Sequence, residues 1–381
     1  MITTIDFETA SRSADIRVRW RDALDPVENL YAMYLSPEWL ESGEPEEVQS
    51  CLLQCQEGPD GVKRIVSLLR PGRASLRFEI SHMLRKSIAF DAVEILGSQI
   101  IGVRDPMGLK DVVADMWRAF PKASAVYLKS VRKDSTLWRA LEESEWNVNG
   151  AVAYRQHGDR PFHYVRLPAS FDEYMEEFPK KQRYNLKRQV RRMAEAFGEK
   201  LEVRRIASAE DIPFFVSSAR AIVSKSWKAR KLANPVPRSI EREALLRSVA
   251  EQDLLRSYVL LADGAPAAFI VGYQYRGVYH YADLAYDDSY SKYSPGAVLL
   301  LMVIEQLVGK EGTQSINFGI TDAQFKHVFG NRHTEDAEIL ILRPGLKNRV
   351  LVAIHRIFQR AKLALRAYVS RGAKTAEQTH A

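Results

Sequence analysis

The sequence predicts an α/β (α+β) fold of two tandem modules of one kind, each a mixed central sheet flanked by helices, followed by a C-terminal amphipathic helix. Three observations carry that expectation. Strand-like runs are separated by turn residues, and apolar stretches with helical spacing fall between them. The order β-β-α-β-α-β then occurs twice along the 381 residues. That length accommodates two domains, each with a core of its own. The expected division is 1–165, 166–345 and a basic helix and tail over 346–381.

In the first half, RIVSLLR and a strand-rich 76–103 precede a helix over GLKDVVADMWRAF (108–120). AVYLKSV (125–131), a helix over STLWRALEES (135–144) and WNVNGAVAYRQ (146–156) follow. Upstream, VQSCLLQCQE holds Cys51 and Cys55, the chain's two cysteines, and reads as a short helix with two reduced thiols. With no histidine near them and no second pair, no metal site is expected.

FDEYMEEFPKKQRYNLKRQVRRMAEAF (171–197) opens the second half as helix, acids first and bases last, as the helix dipole favours. Pro179 interrupts it. SYVLLA (257–262), APAAFIVGYQY (265–275) and GVYHYADLAY (277–286) read as three strands joined at Asp263-Gly264 and Arg276-Gly277. PGAVLLLMVIEQLVGK (295–310) reads as a buried helix, with Ser294 as N-cap and Pro295 at its first position. Then come SINF (315–318), a short helix over 322–329 and the strand AEILILR (337–343).

The net charge of +7 is unevenly spread. KKQRYNLKRQVRRM (180–193) holds seven bases and no acid, and 346–374 holds eight and no acid. The remainder is therefore eight charges negative, a mildly acidic body with two basic stripes. The first stripe is either a solvated helix face or a surface for phosphates or nucleic acid, although only Tyr184 interleaves its bases. In the second, Leu346, Val350, Ile354, Ile357, Ala361, Leu365 and Tyr368 repeat at steps of four and three. That apolar face is expected to dock onto the domain; its alternative is an anionic membrane surface. No apolar run is long enough to span a bilayer, and the first twenty residues lack the apolar core of a secretory signal, so the cytoplasm is the expected compartment.

Candidate chemistry gathers in the second half. DDSYSKYSPGA (287–297) turns into a helix whose free N–H groups and positive dipole end suit phosphate; Lys292 adds a cation and Gly296 close approach. Asp283 is an acid inside a strand, among Tyr279, Tyr281 and Tyr286. INFGITDAQFKHVFGN (316–331) sets Asp322 four residues before Lys326, which on a helix would share a face. The pair is either a reaction centre or a surface salt bridge.

YSPGAVLLLMVIEQLVGKEGTQSINFGITDAQFKHVFGN resembles the signature of the CelD-like branch of the GNAT acyltransferases, proteins associated with cellulose and exopolysaccharide production. The matching elements are Ser294-Pro295-Gly296, Asn317-Phe318-Gly319, Asp322 and Phe325-Lys326. FKHVFG also resembles a segment of the Fem-type aminoacyl transferases, which build peptide bridges from aminoacyl-tRNA. SFDEYMEEFPKKQRYNLKRQVRRM is similar to the helix that opens the second module of these two-module proteins, and LSPEWLES (35–42) to their N-terminal opening. The chain departs where Asn317 replaces an acid and where the glycine-rich pyrophosphate loop shrinks to Gly296.

The resemblance implies an acyltransferase, cytoplasmic or peripheral at the inner face of the membrane, that uses acetyl-CoA or another acyl-CoA and no metal. The acceptor would be an amine or hydroxyl of a saccharide or cell-envelope precursor. The second module would work, with Lys292, Ser294, Gly296 and Ala297 holding the donor. Lys326 and Phe325 would stabilise developing charge or place the donor, and Asp283 and Asp322 would orient or deprotonate the acceptor. Tyr281, Tyr286, Asn317 and Arg183 are expected to contact it. The first module would be a degenerate scaffold. Two rivals are a tRNA-dependent aminoacyltransferase contacting tRNA through 180–193, and a non-catalytic membrane scaffold using 346–374.

Overall fold

The computed structural model describes the chain apart from residues 1, 25–29, 44–47, 58–62, 80–84, 102, 104, 228, 230–235, 310–311, 321–322 and 380–381. Of the final helix, it describes side chains as far as residue 364. Two compact units emerge, both discontinuous in sequence, whereas the reading above divides the chain contiguously. The first comprises 1–6, 50–159 and 336–381; the second comprises 7–49 and 160–335.

In the first unit β1 (Ile2–Asp6), β2 (Leu52–Glu57), β3 (Lys63–Glu79) and β4 (Arg85–Ile95) pair antiparallel in that order. The crossover helix Pro106–Ala119 returns the chain so that β5 (Ala125–Arg132) lies parallel to β4. Such a connection needs a helix because parallel strands cannot be joined by a tight turn. The helix Thr136–Glu143, β6 (Asn147–Val148) and β7 (Ala151–Arg166) follow. Leu109, Val113 and Met116 of the crossover helix are fully buried against Val126, Leu128 and Ile339.

The second unit repeats the order. β8 (Leu201–Ile206), β9 (Ser257–Ala262), β10 (Ala265–Tyr275) and β11 (Val278–Tyr286) are antiparallel, and the helix Pro295–Leu307 crosses to β12 (Ser315–Ile320), parallel to β11. Asp263-Gly264 and Arg276-Gly277 all have positive φ, the primed turn that suits strand twist in a hairpin. Each parallel pair is completed by an antiparallel strand from the other half of the chain. β13 (Arg332–Leu342) pairs with β5 through 336–342, and β7 pairs with β12 through 162–166.

Two expectations about local structure change. Cys55 lies in β2 and Cys51 just before it, so the expected short helix is a strand; both thiols are buried and neither forms a disulfide. Leu53, Gln54 and Cys55 are all buried in the pairing with β3, which outweighs the helical spacing. Helix does break at Pro179, into Phe171–Glu176 and Lys180–Phe197.

The second change concerns the final helix, Leu346–Thr379, which buries the opposite face from the one expected. Val352 and His355 are buried with Phe358 beside them, while Leu346, Val350, Ile354 and Ile357 stay exposed. His355 explains the reversal. Its Nε2 donates to the Arg77 carbonyl at 3.0 Å, so its Nδ1 accepts from the Tyr154 hydroxyl at 2.6 Å. A histidine with both nitrogens satisfied can be buried at little cost, and burial lowers its pKa.

Candidate active site

β11 and β12 pair over only three residues, ending at His280↔Asn317. Just beyond, the register between β10 and β11 slips, Val271↔Asp283 being followed by Gly272↔Tyr281. Ala282 is therefore the extra residue of a bulge, which bends a strand and re-aims its side chains. Past that point β11 has no strand paired on its β12 edge among the described residues. The two strands splay there around a cavity of about 520 Å³.

The cavity is walled by Tyr281, Asp283, Leu284 and Tyr286 of β11, by Phe318 and Ile320 of β12, and by Ala323, Phe325 and Lys326 beyond it. Trp227 also lines it. Tyr281, Phe318 and Phe325 form one aromatic wall, with ring centroids 5.2–5.9 Å apart. Burial, then the Asp283 carboxylate, holds the Tyr281 hydroxyl well above its usual pKa, so it stays a neutral hydrogen-bonding group. Asp283 accepts from the Leu284 N–H at 2.7 Å.

Lys326 is only 4% exposed, on the short helix Gln324–Phe329. Its Nζ donates to the carbonyls of Gly319 and Ile320 at 3.2 and 3.1 Å, clamping the end of β12. Burial lowers its pKa to about 8. The helix begins at Gln324, and the expected pairing of Asp322 with Lys326 lies outside the described residues. Gly319 takes φ 68°, a conformation that favours glycine.

The helix Pro295–Leu307 starts beside the same strand. Ser294 occupies the N-cap position as expected, but in the left-handed conformation (φ 56°, ψ 53°), and its side chain makes no capping bond. Pro295 has no N–H and the Ala297 N–H donates to the Ser294 carbonyl at 3.0 Å, so of the first turn the Gly296 N–H is left without a side-chain acceptor among the described residues, a donor that an anion could use. The turn before it is fixed by Asp287, which accepts from the Ser289 amide at 2.9 Å and the Ser289 hydroxyl at 2.7 Å, and from Lys225 at 3.3 Å. Gly296 is buried; a Cβ there would meet Leu284 at 2.9 Å and Tyr286 at 3.4 Å. Its small size thus lets the helix approach β11. Lys292 is exposed, its Nζ 4.8 Å from the Tyr293 ring centre, and Ala297 is half-buried one turn in.

Asn317 does not line the cavity. Its amide donates to the Leu30 carbonyl at 2.7 Å and accepts from the Gly319 N–H at 2.8 Å, holding backbone at both ends. Arg183 lies elsewhere in the unit, in a second cavity of about 330 Å³ with Lys180, Tyr184 and Lys187. Trp227 was missed because SKSWKARK reads as a polar stretch; a tryptophan 40% exposed is the signal that only the structure gives.

Residues 180–327 match the model of the acetyltransferase (GNAT) domain. They form a GNAT acyltransferase domain. This domain contains the bulged strand, the uncapped helix and the cavity, so the chain is an acyltransferase enzyme. FemX has a similar crystal structure, with TM-score 0.59 and 10% identity over 92% of this chain and 100% of that one. A conserved Bacteroides thetaiotaomicron protein of unknown function follows at TM-score 0.54 and 12% identity, covering 90% of this chain and 100% of its own. A C-terminal domain assigned to a lysylphosphatidylglycerol synthetase of Agrobacterium fabrum gives 0.51 and 11%, covering 90% and 96%. At such identities the likeness is one of fold. None of the curated proteins matches in sequence.

Proposed function

We propose that the second unit transfers an acetyl group from acetyl-CoA to an amine or hydroxyl of a saccharide or cell-envelope precursor, as the CelD-like resemblance implies. One observation carries the reading: a cavity opened by a strand bulge lies beside a helix start whose N–H groups no side chain caps. That pairing fits a donor with phosphates at one end and a reactive acyl group at the other. Acetyl-CoA, when bound, supplies a thioester carbonyl whose C–S bond is exchanged for a bond to the acceptor.

The chain's own residues would do the rest. The first turn at Ser294, Gly296 and Ala297, with Lys292, holds negative charge. Asp283, with Asp322 as the second candidate, orients the acceptor and takes the proton that its nitrogen or oxygen loses. Lys326 fixes the turn after β12 and contributes positive potential where charge develops. Trp227, Tyr281 and Tyr286 offer ring faces beside a carboxylate, a lining suited to a sugar ring or an ammonium group. Calorimetric titration with acetyl-CoA tests the reading. Micromolar binding that Gly296→Trp abolishes supports it, and no binding by the wild type refutes it.

A second reading, transfer from aminoacyl-tRNA, is favoured by the cavity lined by Lys180, Arg183 and Lys187 with Tyr184 58% exposed beside them. Activity that collapses with ribonuclease and with rising salt would select it.

A further inference from the structure

Half of the exposed large apolar residues lie on one short stretch. Of ten among the described residues, Leu346, Val350, Ile354, Ile357 and Leu363 belong to the final helix. The first four, at 79, 48, 52 and 65% exposure, step by four, four and three and so make one continuous stripe. The helix is already anchored by its other side, through Val352, His355 and Phe358 on β3 and β7. The stripe is therefore not the seam that folds the helix onto its unit. An apolar row of this length facing water calls for an occupant.

The charges say which. Arg349, Arg356 and Arg360 are exposed along one flank of the stripe and Lys347 along the other. The stretch 346–374 holds eight bases and no acid. A second copy docked helix to helix would bring these like charges together with no acid on either stripe to offset them. An anionic lipid surface meets both needs at once, taking the apolar row among its acyl chains and the bases among its headgroups. No described helix is long and apolar enough to cross a membrane, which leaves this one lying along the surface.

We propose that Leu346, Val350, Ile354 and Ile357, flanked by Lys347, Arg349, Arg356 and Arg360, form a docking surface for an anionic membrane. The test is flotation of the full chain with vesicles of phosphatidylcholine alone or mixed with phosphatidylglycerol. The chain should float with the mixed vesicles and not the neutral ones, and high salt should weaken binding. I354E/I357E should lower the partition about tenfold or more. R349S/R356S/R360S should lower it selectively on anionic vesicles. All these positions are exposed, and acetyl-CoA titration of each variant separates a failed surface from a failed fold or a failed donor site. A wild-type chain that stays in the buffer with both vesicle types overturns the proposal. So does a chain that self-associates in sedimentation velocity and becomes monomeric in I354E/I357E, since the stripe would then join two copies.

Discussion

In both units a parallel pair of strands is connected by a crossover helix that begins with proline, Pro106 in the first and Pro295 in the second. What precedes each proline differs. Asp105 caps the first helix, its carboxylate accepting from the Gly108 N–H at 2.8 Å. The protein's own anion thus satisfies the helix start. The Ser294 side chain caps nothing among the described residues, and only its carbonyl accepts from the turn that follows. The strands differ as well: β4 pairs with β3 in unbroken register, whereas β11 carries the bulge at Ala282. One strand order therefore yields a helix start filled by its own aspartate in one unit, and an open helix start beside a splayed cleft in the other. If the donor binds there as proposed, its binding rests on two local departures from regularity.

The comparison can be broken at several points. The largest effect is expected at Lys326. Lys326→Met should lower kcat/KM about 100-fold, because it removes both the clamp on Gly319 and Ile320 and a buried cation. The pH profile sharpens this. With a pKa of about 8, the ammonium is lost as pH rises through that value, so activity that needs the cation should fall on the alkaline side. Lys326→Arg, which stays charged, should remove that limb. Next in size, Trp227→Ala should raise the acceptor KM about tenfold with kcat less affected, since it removes ring surface from the cavity wall. In the first unit, Asp105→Ala should cost about 1 kcal/mol of stability in urea unfolding and leave acyl transfer unchanged. A loss of activity there would mean that the first unit takes part.

The smallest effect is expected at His280, 1% exposed, with neither ring nitrogen hydrogen-bonded among the described residues. Burial lowers its pKa from 6.5 to about 3. Between those values the unfolded chain binds a proton that the folded chain refuses, so stability falls as pH drops through that window. His280→Leu should flatten this dependence between neutral pH and about pH 5 in urea titrations. An unchanged slope would assign the acid sensitivity to other groups.

Much of the second unit was legible in the sequence. Asp263-Gly264 and Arg276-Gly277 fix their hairpins locally, and Pro295 starts its helix within a residue of expectation. The exchange of β7 and β13 was not legible, because which edge a strand joins is decided by partners about 150 or more residues away. Nor was the bulge: Ala282 sits in YADLAY, whose pattern is that of an ordinary strand. The final helix misled for a related reason. Its most apolar row was read as the buried one, yet the His355 bonds to Tyr154 and Arg77 anchor a more polar face. At the site, residues named from type and spacing divided. Asp283, Tyr281, Tyr286, Phe325 and Lys326 line one cavity, while Asn317 braces backbone and Arg183 belongs to another cavity.

The most direct test of the central contrast transplants the cap. Ser294→Asp would set a carboxylate at the open helix start, as Asp105 does in the first unit, at a backbone conformation that aspartate tolerates. Calorimetric titration with acetyl-CoA should then show micromolar binding by the wild type and a loss of at least about tenfold in Ser294→Asp, through repulsion of the donor's phosphates. Equal binding by the two proteins would contradict the account, for the donor would then not sit at that helix start.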